Sequence, residues 1–394
     1  MKARKWISLA LVIVVLATTV MACGGKEPPI TVELNLEPCT YTAGDVEYDA
    51  DCGTLVVPEN RSDPNSRMIE LPVIRVRALS DNPTEPIFWL AGGPGHTNMH
   101  FSNLDGLIDN HDIVLVGYRG ADGSVVLDCP EVTEALTSLG SKLTSDESFT
   151  SIGSAYTRCA VRLQDEGVDL DGYTVPEVAE DMEAARIGLG YQRINLLSQS
   201  YGTRVAMIYS WRHPDSLYRV VMIAVNPPGH FVWEPDVIDV QIEYDADLCA
   251  QDPECSARTD DLAETVRNVA HNMPDHWQSL PIDPGKVRLI THMLLCNHGS
   301  AAIVYDAYIT AEEGDPSGLA YMSQMFDSMM PTAMTFGESA AKASIDFDPA
   351  RDYITEMDPP DSIIGAPMSF AWGWLQASDW PMATIPAELR QVQP

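Results

Sequence analysis

Two textures of apolar residues divide the chain. Up to about residue 232, short apolar runs alternate with helical spacing. Thr54–Pro58 and Ile69–Ala78 run or alternate apolar with many β-branched residues, separated by the turn-rich Asn60–Asn65, which predicts a hairpin. Pro86–Leu90 and Asp112–Val116 read as short buried strands, the first running into Ala91-Gly92-Gly93-Pro94-Gly95-His96, the second into Gly117–Ser124. Val175–Leu189 has helical spacing through Val178, Met182, Ala185 and Ile187, and stops at Gly190. An apolar run at Ile194–Leu197 meets the turn Ser198–Gly202, and helix-forming residues from Val205 to Trp211 follow at once. Pro214 then breaks the chain, and Tyr218–Val225 predicts one more buried strand. Strands alternating with helices imply an α/β class, a mainly parallel sheet with helices on both faces. Sites in such sheets lie outside the carboxyl ends of the strands, and all three Gly- or Ser-bearing turns leave that edge.

From about residue 233 the pattern turns helical. Thr259–Asn272, Val287–Cys296, Ala301–Ala311 and Gly318–Met330 have helical spacing, with Asp, Pro and Gly between them. Methionine is frequent (Met322, Met325, Met329, Met330, Met334), as in plain helical cores. Because this block interrupts a sheet, it is expected to form an inserted cap over the site, its methionines serving as core, with an apolar pocket lining as the alternative. The tail carries Trp372, Trp374 and Trp380, and no repeat or low-complexity tract is found. The expected organisation is a signal segment at 1–22, a tether at 23–38, an α/β core at 39–232, a helical cap at 233–375, and the start of a C-terminal core segment at 376–394.

The first residues change the picture of where the protein works. Lys2, Arg4 and Lys5 precede the apolar run Ile7–Val20, and Val20-Met21-Ala22-Cys23 follows. This is the layout of an export signal. A cysteine after a small residue resembles a bacterial lipobox, so Cys23 is expected to carry lipid. The run is shorter than the roughly 20 residues a bilayer crossing needs. Gly24 rather than Asp after the cysteine points to the outer membrane or cell surface. The expected location is the cell envelope, with a membrane contact through the N-terminal lipid. The net charge of −33 and the lack of a basic stripe argue against nucleic-acid binding. Of eight cysteines, Cys23 is set aside. Sequence proximity favours Cys39–Cys52, Cys129–Cys159 and Cys249–Cys255, with Cys296 left over, although spacing does not determine connectivity. No Cys-x-x-Cys or His-x-x-x-His spacing supports zinc, and no metal or organic cofactor is implied. Oligomeric state has no sequence signal.

The chemistry centres on Ser198-Gln199-Ser200-Tyr201-Gly202. A strand, a sharp turn and a helix around a small-x-Ser-x-Gly sequence make a nucleophile elbow, which lifts the Ser200 hydroxyl clear of the sheet. Ser200 is the expected nucleophile. The oxyanion donors are expected to be backbone N–H groups of Tyr201 and of Gly93, in a turn supported by Gly92, Pro94 and Gly95, with Gly202 letting strand and helix touch.

These residues resemble the α/β-hydrolase superfamily, and more narrowly the proline iminopeptidase and tripeptidyl-aminopeptidase group of serine exopeptidases. That group carries a His-Gly-Gly-Pro-Gly turn, an Asp-Gln-Arg-Gly-x-Gly-x-Ser turn and a Gly-x-Ser-Tyr-Gly elbow. The matching stretches are Ala91–Gly95, Gly117–Ser124 and Ser198–Gly202, and Cys52–Pro58 and Cys249–Cys255 are also similar. Ala91 stands for the histidine, Gly117 and Tyr118 for Asp-Gln, and Ser198 for the first glycine. The resemblance implies an α/β-hydrolase core with an inserted helical cap, and an aminopeptidase cleaving peptides through an acyl-enzyme on Ser200, or an ester hydrolase. In this fold the triad acid and histidine follow the cap. After Trp380 no apolar strand run follows, so the last strands, and with them the acid and histidine, are expected to lie beyond Pro394. His213, His230, His271, His276, His292 and His298 offer no motif for a base. The rival expectations are a non-catalytic surface lipoprotein and an incomplete product of an active enzyme.

Overall fold

A computed structural model describes residues 33–391. The signal segment and Cys23 lie outside the described residues. β1 (Glu33–Ala43) pairs antiparallel with β2 (Val46–Pro58), from Glu33 opposite Val56 to Ala43 opposite Val46. Gly44, at φ 61°, closes the tight turn between them. The expected tether at 23–38 is therefore corrected: from Glu33 on, the chain is strand. Leu34 and Leu36 pack against the sheet core, and pairing with β2 satisfies the backbone. The predicted hairpin is β2 with β3 (Met68–Val76).

β4 (Ile87–Leu90) and β5 (Ile113–Val116) are buried along their whole length. A small ribbon, β6 (Arg119–Gly120) with β7 (Asp122–Val126), follows β5. β8 (Ile194–Gln199) and β9 (Leu217–Ile223) complete a seven-stranded sheet in the order β1-β2-β3-β5-β4-β8-β9. The pairings from β1 to β5 are antiparallel. Those joining β5, β4, β8 and β9 are parallel, so the turns that carry the candidate chemistry leave one edge. Successive residues of β4 serve opposite faces: Phe88 meets Tyr191 edge-on at 6.4 Å, and Trp89 meets Phe101 at 4.6 Å.

The strand expected to be buried at Tyr218–Val225 is an edge strand. Val221 is 52% and Ile223 49% exposed. Among the described residues β9 has a neighbour on one side only, and Val221 and Ile223 register with Leu197 and Gln199 on a face left open to solvent.

Helices α1 (Pro130–Thr137) and α2 (Asp146–Asp165) precede α3 (Val175–Gly188) and α4 (Tyr201–Arg212). α3 and α4 pack on each other and on the sheet. Then come α5 (Pro235–Gln251), α6 (Leu262–His271), α7 (Pro284–Leu295), α8 (His298–Glu312) and α9 (Ser317–Met329). α6 to α9 fall on the four helical stretches read from spacing. α10 (Phe336–Ala343), α11 (Tyr353–Glu356) and α12 (Phe370–Gln376) follow. Two apolar cores result: one holds the sheet with α3 and α4, the other the later helices. α1 and α2, assigned by sequence to the first core, pack into the second, where Tyr156 meets Trp380 edge-on at 6.1 Å. The last described residues return to the sheet: Ile385 and Leu389 join its core, and Arg390 donates to Ile345 O and Phe347 O.

Three disulfides join Cys39–Cys52, Cys129–Cys159 and Cys249–Cys255, and Cys296 is free and exposed. No helix among the described residues is long and apolar enough to cross a membrane.

Candidate active site

β8 ends at Gln199 and α4 begins at Tyr201, leaving Ser200 alone in the turn at φ 49°, ψ −120°. A non-glycine residue held there costs on the order of 1–3 kcal/mol, so its surroundings must enforce it. They do. Ser200 N–H donates to Ile223 O at 2.9 Å, and Ser200 O accepts from Thr203 N–H at 2.9 Å and Thr203 Oγ1 at 2.7 Å. A Cβ at Gly202 would run into Leu90 O, so only glycine lets α4 start so close to β4. Ser198 departs from the usual glycine without loss, because its buried hydroxyl donates to Val221 O at 3.0 Å.

The glycine turn after β4 packs on this serine. A Cβ built on Gly92 would lie 3.3 Å from Ser200 Cβ and 3.9 Å from its Oγ. The Gly93–Pro94 peptide is cis, and Gly95 sits at φ 87°. Asn98, which sequence reasoning missed, holds the turn in place. Its Oδ1 accepts from Ala91 N–H at 2.7 Å, and its Nδ2 donates to Trp89 O and Val116 O. Asp122 ties in the second turn, its Oδ2 accepting from Asn98 N–H and Tyr118 N–H at 3.0 and 2.8 Å. Tyr118 Oη donates to Ala91 O at 3.1 Å, and its ring meets Tyr201 edge-on at 5.6 Å. The two departures at Ala91 and Tyr118 thus bond to each other.

Glu338 of α10 reaches the same turn from a distant part of the chain. Its Oε2 accepts from Gly95 N–H at 2.5 Å, across 243 residues of sequence. Its Oε1 lies 3.2 Å from Lys342 Nζ, which donates to Tyr173 O at 2.8 Å and Arg119 O at 3.2 Å. Both side chains are fully buried. Burial raises the Glu338 pKa, and the opposing pull of Lys342 and the Gly95 amide does not cancel it. Burial likewise lowers the Lys342 pKa against the pull of Glu338.

With Ala91 and Gly95 N–H engaged and Pro94 having none, the turn keeps the Gly92 and Gly93 amides. The Tyr201 N–H belongs to the first residue of α4, among those a helix leaves without an intrahelical partner. No hydrogen bond to Ser200 Oγ is found among the described residues. Three of the six downstream histidines are occupied elsewhere: His213 pairs with Glu180 at 3.1 Å, His271 with Ser362 O at 2.8 Å, and His292 stacks on Trp233 at 5.1 Å. Arg119, in the second turn, is wholly buried and bonds Asp181 through Nε and an Nη at 2.6 and 2.7 Å, an anchor for that turn.

A cavity of about 590 Å³ opens at the glycine turn, between the two cores. Ser200 is not one of its wall residues. The two meet at the turn, where Gly92 packs on Ser200 while Gly93 and Pro94 line the cavity. Met329, Met330 and Met334 of the methionine-rich stretch line it, whereas Met322 is buried in the helical core. His96, next to the turn and exposed, also lines it, and sequence reasoning gave it no role. Cys129, Glu131 and Cys159 lie close enough together to hold a metal, but the two sulfurs form a disulfide.

A family profile described as the alpha/beta hydrolase fold matches residues 85–254, the stretch that spans both glycine-bearing turns and the elbow. Over that stretch the chain has the α/β-hydrolase fold. Among curated proteins, the chain is similar to a tripeptidyl aminopeptidase of Streptomyces lividans, 23% identical over 58% of this chain and 45% of the relative. It is also similar to the serine protease Hip1 of Mycobacterium bovis, 24% identical over 82% of this chain and 62% of the relative. The chain thus spans about half the length of the curated relatives it matches. A solved proline iminopeptidase from Mycobacterium smegmatis aligns at 14% identity over 71% of this chain and 68% of its own, with a TM-score of 0.30.

Proposed function

We propose that this α/β hydrolase is a serine hydrolase that forms an acyl-enzyme on Ser200, with the N–H groups of Gly93 and Tyr201 binding the oxyanion. The observation that carries the reading is the backbone of Ser200, held in a strained turn against Gly92 with two unspent amides at hand. Such preorganised donors typically contribute ~3 kcal/mol each to transition-state binding. The peptidase relatives support peptides as the substrate class, cleaved from the amino terminus. The export pattern at residues 2–23 supports a lipid-anchored place in the cell envelope. A second reading, ester hydrolysis through the same acyl-enzyme, is favoured by the apolar cavity at the turn.

The test is covalent labelling of the full chain with a fluorophosphonate, followed by turnover of tripeptidyl anilides and of aryl esters. Labelling at Ser200, lost in Ser200→Ala, is the expected result. An unlabelled serine, with turnover unchanged by Ser200→Ala, would overturn the reading.

A further inference from the structure

The cavity at the glycine turn has a charge character opposite to that of the molecule. The chain carries 57 Asp and Glu against 24 Lys and Arg. Yet no carboxylate lines this cavity among the described residues, and its charged or titratable wall groups are Arg204, Lys342, His96 and the Tyr156 phenol. Arg204 is already matched, its two Nη atoms on Asp346 Oδ2 at 2.5 Å and Asn226 Oδ1 at 2.8 Å. Lys342 is matched by Glu338, which turns its carboxyl to Gly95 and away from the space. The rest of the wall is aromatic and methionine-rich.

An ammonium entering such a space loses its hydration and meets no carboxylate in the wall, the two wall cations being already paired, which is costly. Aromatic rings are the other way to hold a cation. Here one face each of Trp233, Trp372 and Phe231 is already covered, by His292, Tyr353 and the Arg204 guanidinium. An uncharged apolar group meets no such penalty, and each methylene it buries tightens binding about fourfold.

We propose that this cavity is the specificity pocket of the hydrolase, taking an uncharged, apolar side chain or acyl group next to the scissile carbonyl and rejecting a cationic one. An amino-terminal ammonium, where the substrate has one, then stays outside it. The assignment of the pocket to the scissile carbonyl rests on the Ser200 reading, because the Gly92–Gly93 turn is what joins cavity and serine.

The experiment measures binding separately from turnover. Trp233, Trp372 and Trp374 line the cavity, so tryptophan fluorescence of the full chain reports its occupancy. The ligands are N-acetyl-L-norleucinamide and N-acetyl-L-lysinamide, nearly the same shape with and without the ammonium. The expected result is at least tenfold tighter binding of the norleucine compound, unchanged in Ser200→Ala. Ala333→Trp, or Ala371→Trp if the first lowers the melting temperature, should fill the space and weaken binding at least tenfold. Equal or tighter binding of the lysine compound overturns the proposal, as does wild-type binding by both filled variants. The matching N-acetyl aminoacyl nitrophenyl esters separate the two claims. A binding preference with no turnover of either ester sinks the Ser200 reading and leaves the pocket's selectivity standing. Turnover at Ser200 with the lysine ester equally fast sinks the selectivity alone.

Discussion

Two fully buried carboxylates, Asp181 under the second turn and Glu338 behind the first, are treated oppositely by the fold. Asp181 lies between two guanidiniums, bonded by Arg119 through two nitrogens and by Arg61 at 2.6 Å. Burial alone would raise its pKa, but these two partners outweigh burial and hold it below the ordinary value. Glu338 has one ammonium at 3.2 Å and one backbone amide, and burial wins. The difference teaches that depth alone does not decide ionisation; the number and geometry of charged donors do. One carboxylate serves as a charged rivet between α3 and the second turn. The other serves as an acceptor for the Gly95 amide, a task that needs no full charge.

The largest expected effect follows from that contrast. Asp181→Ala removes the two-nitrogen partner of the buried Arg119 guanidinium, leaving only the more distant Glu177 carboxylate at 3.3 Å, and should cost about 3–5 kcal/mol in urea unfolding. A loss below about 1 kcal/mol would erase the distinction between the two sites. Glu338→Gln keeps an oxygen for Gly95 N–H and should cost about 1 kcal/mol or less by the same assay. Its companion, Glu338→Ala, leaves that amide unpaired and should cost about 1–3 kcal/mol, with a lower kcat on any ester the protein turns over and little change in KM.

The two sites should also separate in pH. For Asp181 the folded pKa lies below the unfolded one. Its stabilisation is present above the unfolded value near 3.8 and is lost as pH falls below it. For Glu338 the folded pKa lies above the unfolded one, so the folded state keeps a proton that the unfolded state has lost. Stability therefore falls as pH rises from about 4.5. Unfolding curves from pH 3 to 8 should show the second slope flattened in Glu338→Gln and kept in Asp181→Asn; equal slopes in both variants would refute the assignment.

The smallest effect belongs to His292, stacked on Trp233 at the cavity. Burial lowers its pKa to about 4 from 6.5. Between those values the unfolded state binds the extra proton, so stability should rise with pH across this window. The ring is only half-buried, and the total should be about 1 kcal/mol after screening. His292→Phe should remove this slope, which would otherwise mask part of the Glu338 effect.

Much of the site was legible in sequence because it is made of local steric requirements. Gly202 faces Leu90 O, Ser200 needs a tight strand-to-helix turn, and Gly92 must let a neighbour close in; each requirement names its residue type within a few positions. The three disulfides fell to near neighbours in sequence for a similar reason. Glu338 and Lys342 were not legible. At four residues apart on a helix they read as an ordinary surface pair, and only the packing of α10 behind the glycine turn buries them. Asn98 and His96 lay within a few residues of a recognised motif, but nothing in their spacing says which backbone or cavity they meet.

The residue pattern by itself determined β2 to β5, β8, β9, α3, α4 and α6 to α9 in their order, the elbow and the two glycine-bearing turns, since these follow from backbone sterics and periodicity along a few consecutive positions. The tertiary structure alone decided that the chain is already strand at Glu33 and, among the described residues, that β9 stands at an open edge, that α1 and α2 join the later helices, and that residues from five or more separate segments enclose one cavity without a carboxylate in its wall. Those outcomes depend on contacts between residues far apart in sequence, whose free energies are set by which surfaces exclude water together, and no local pattern encodes that.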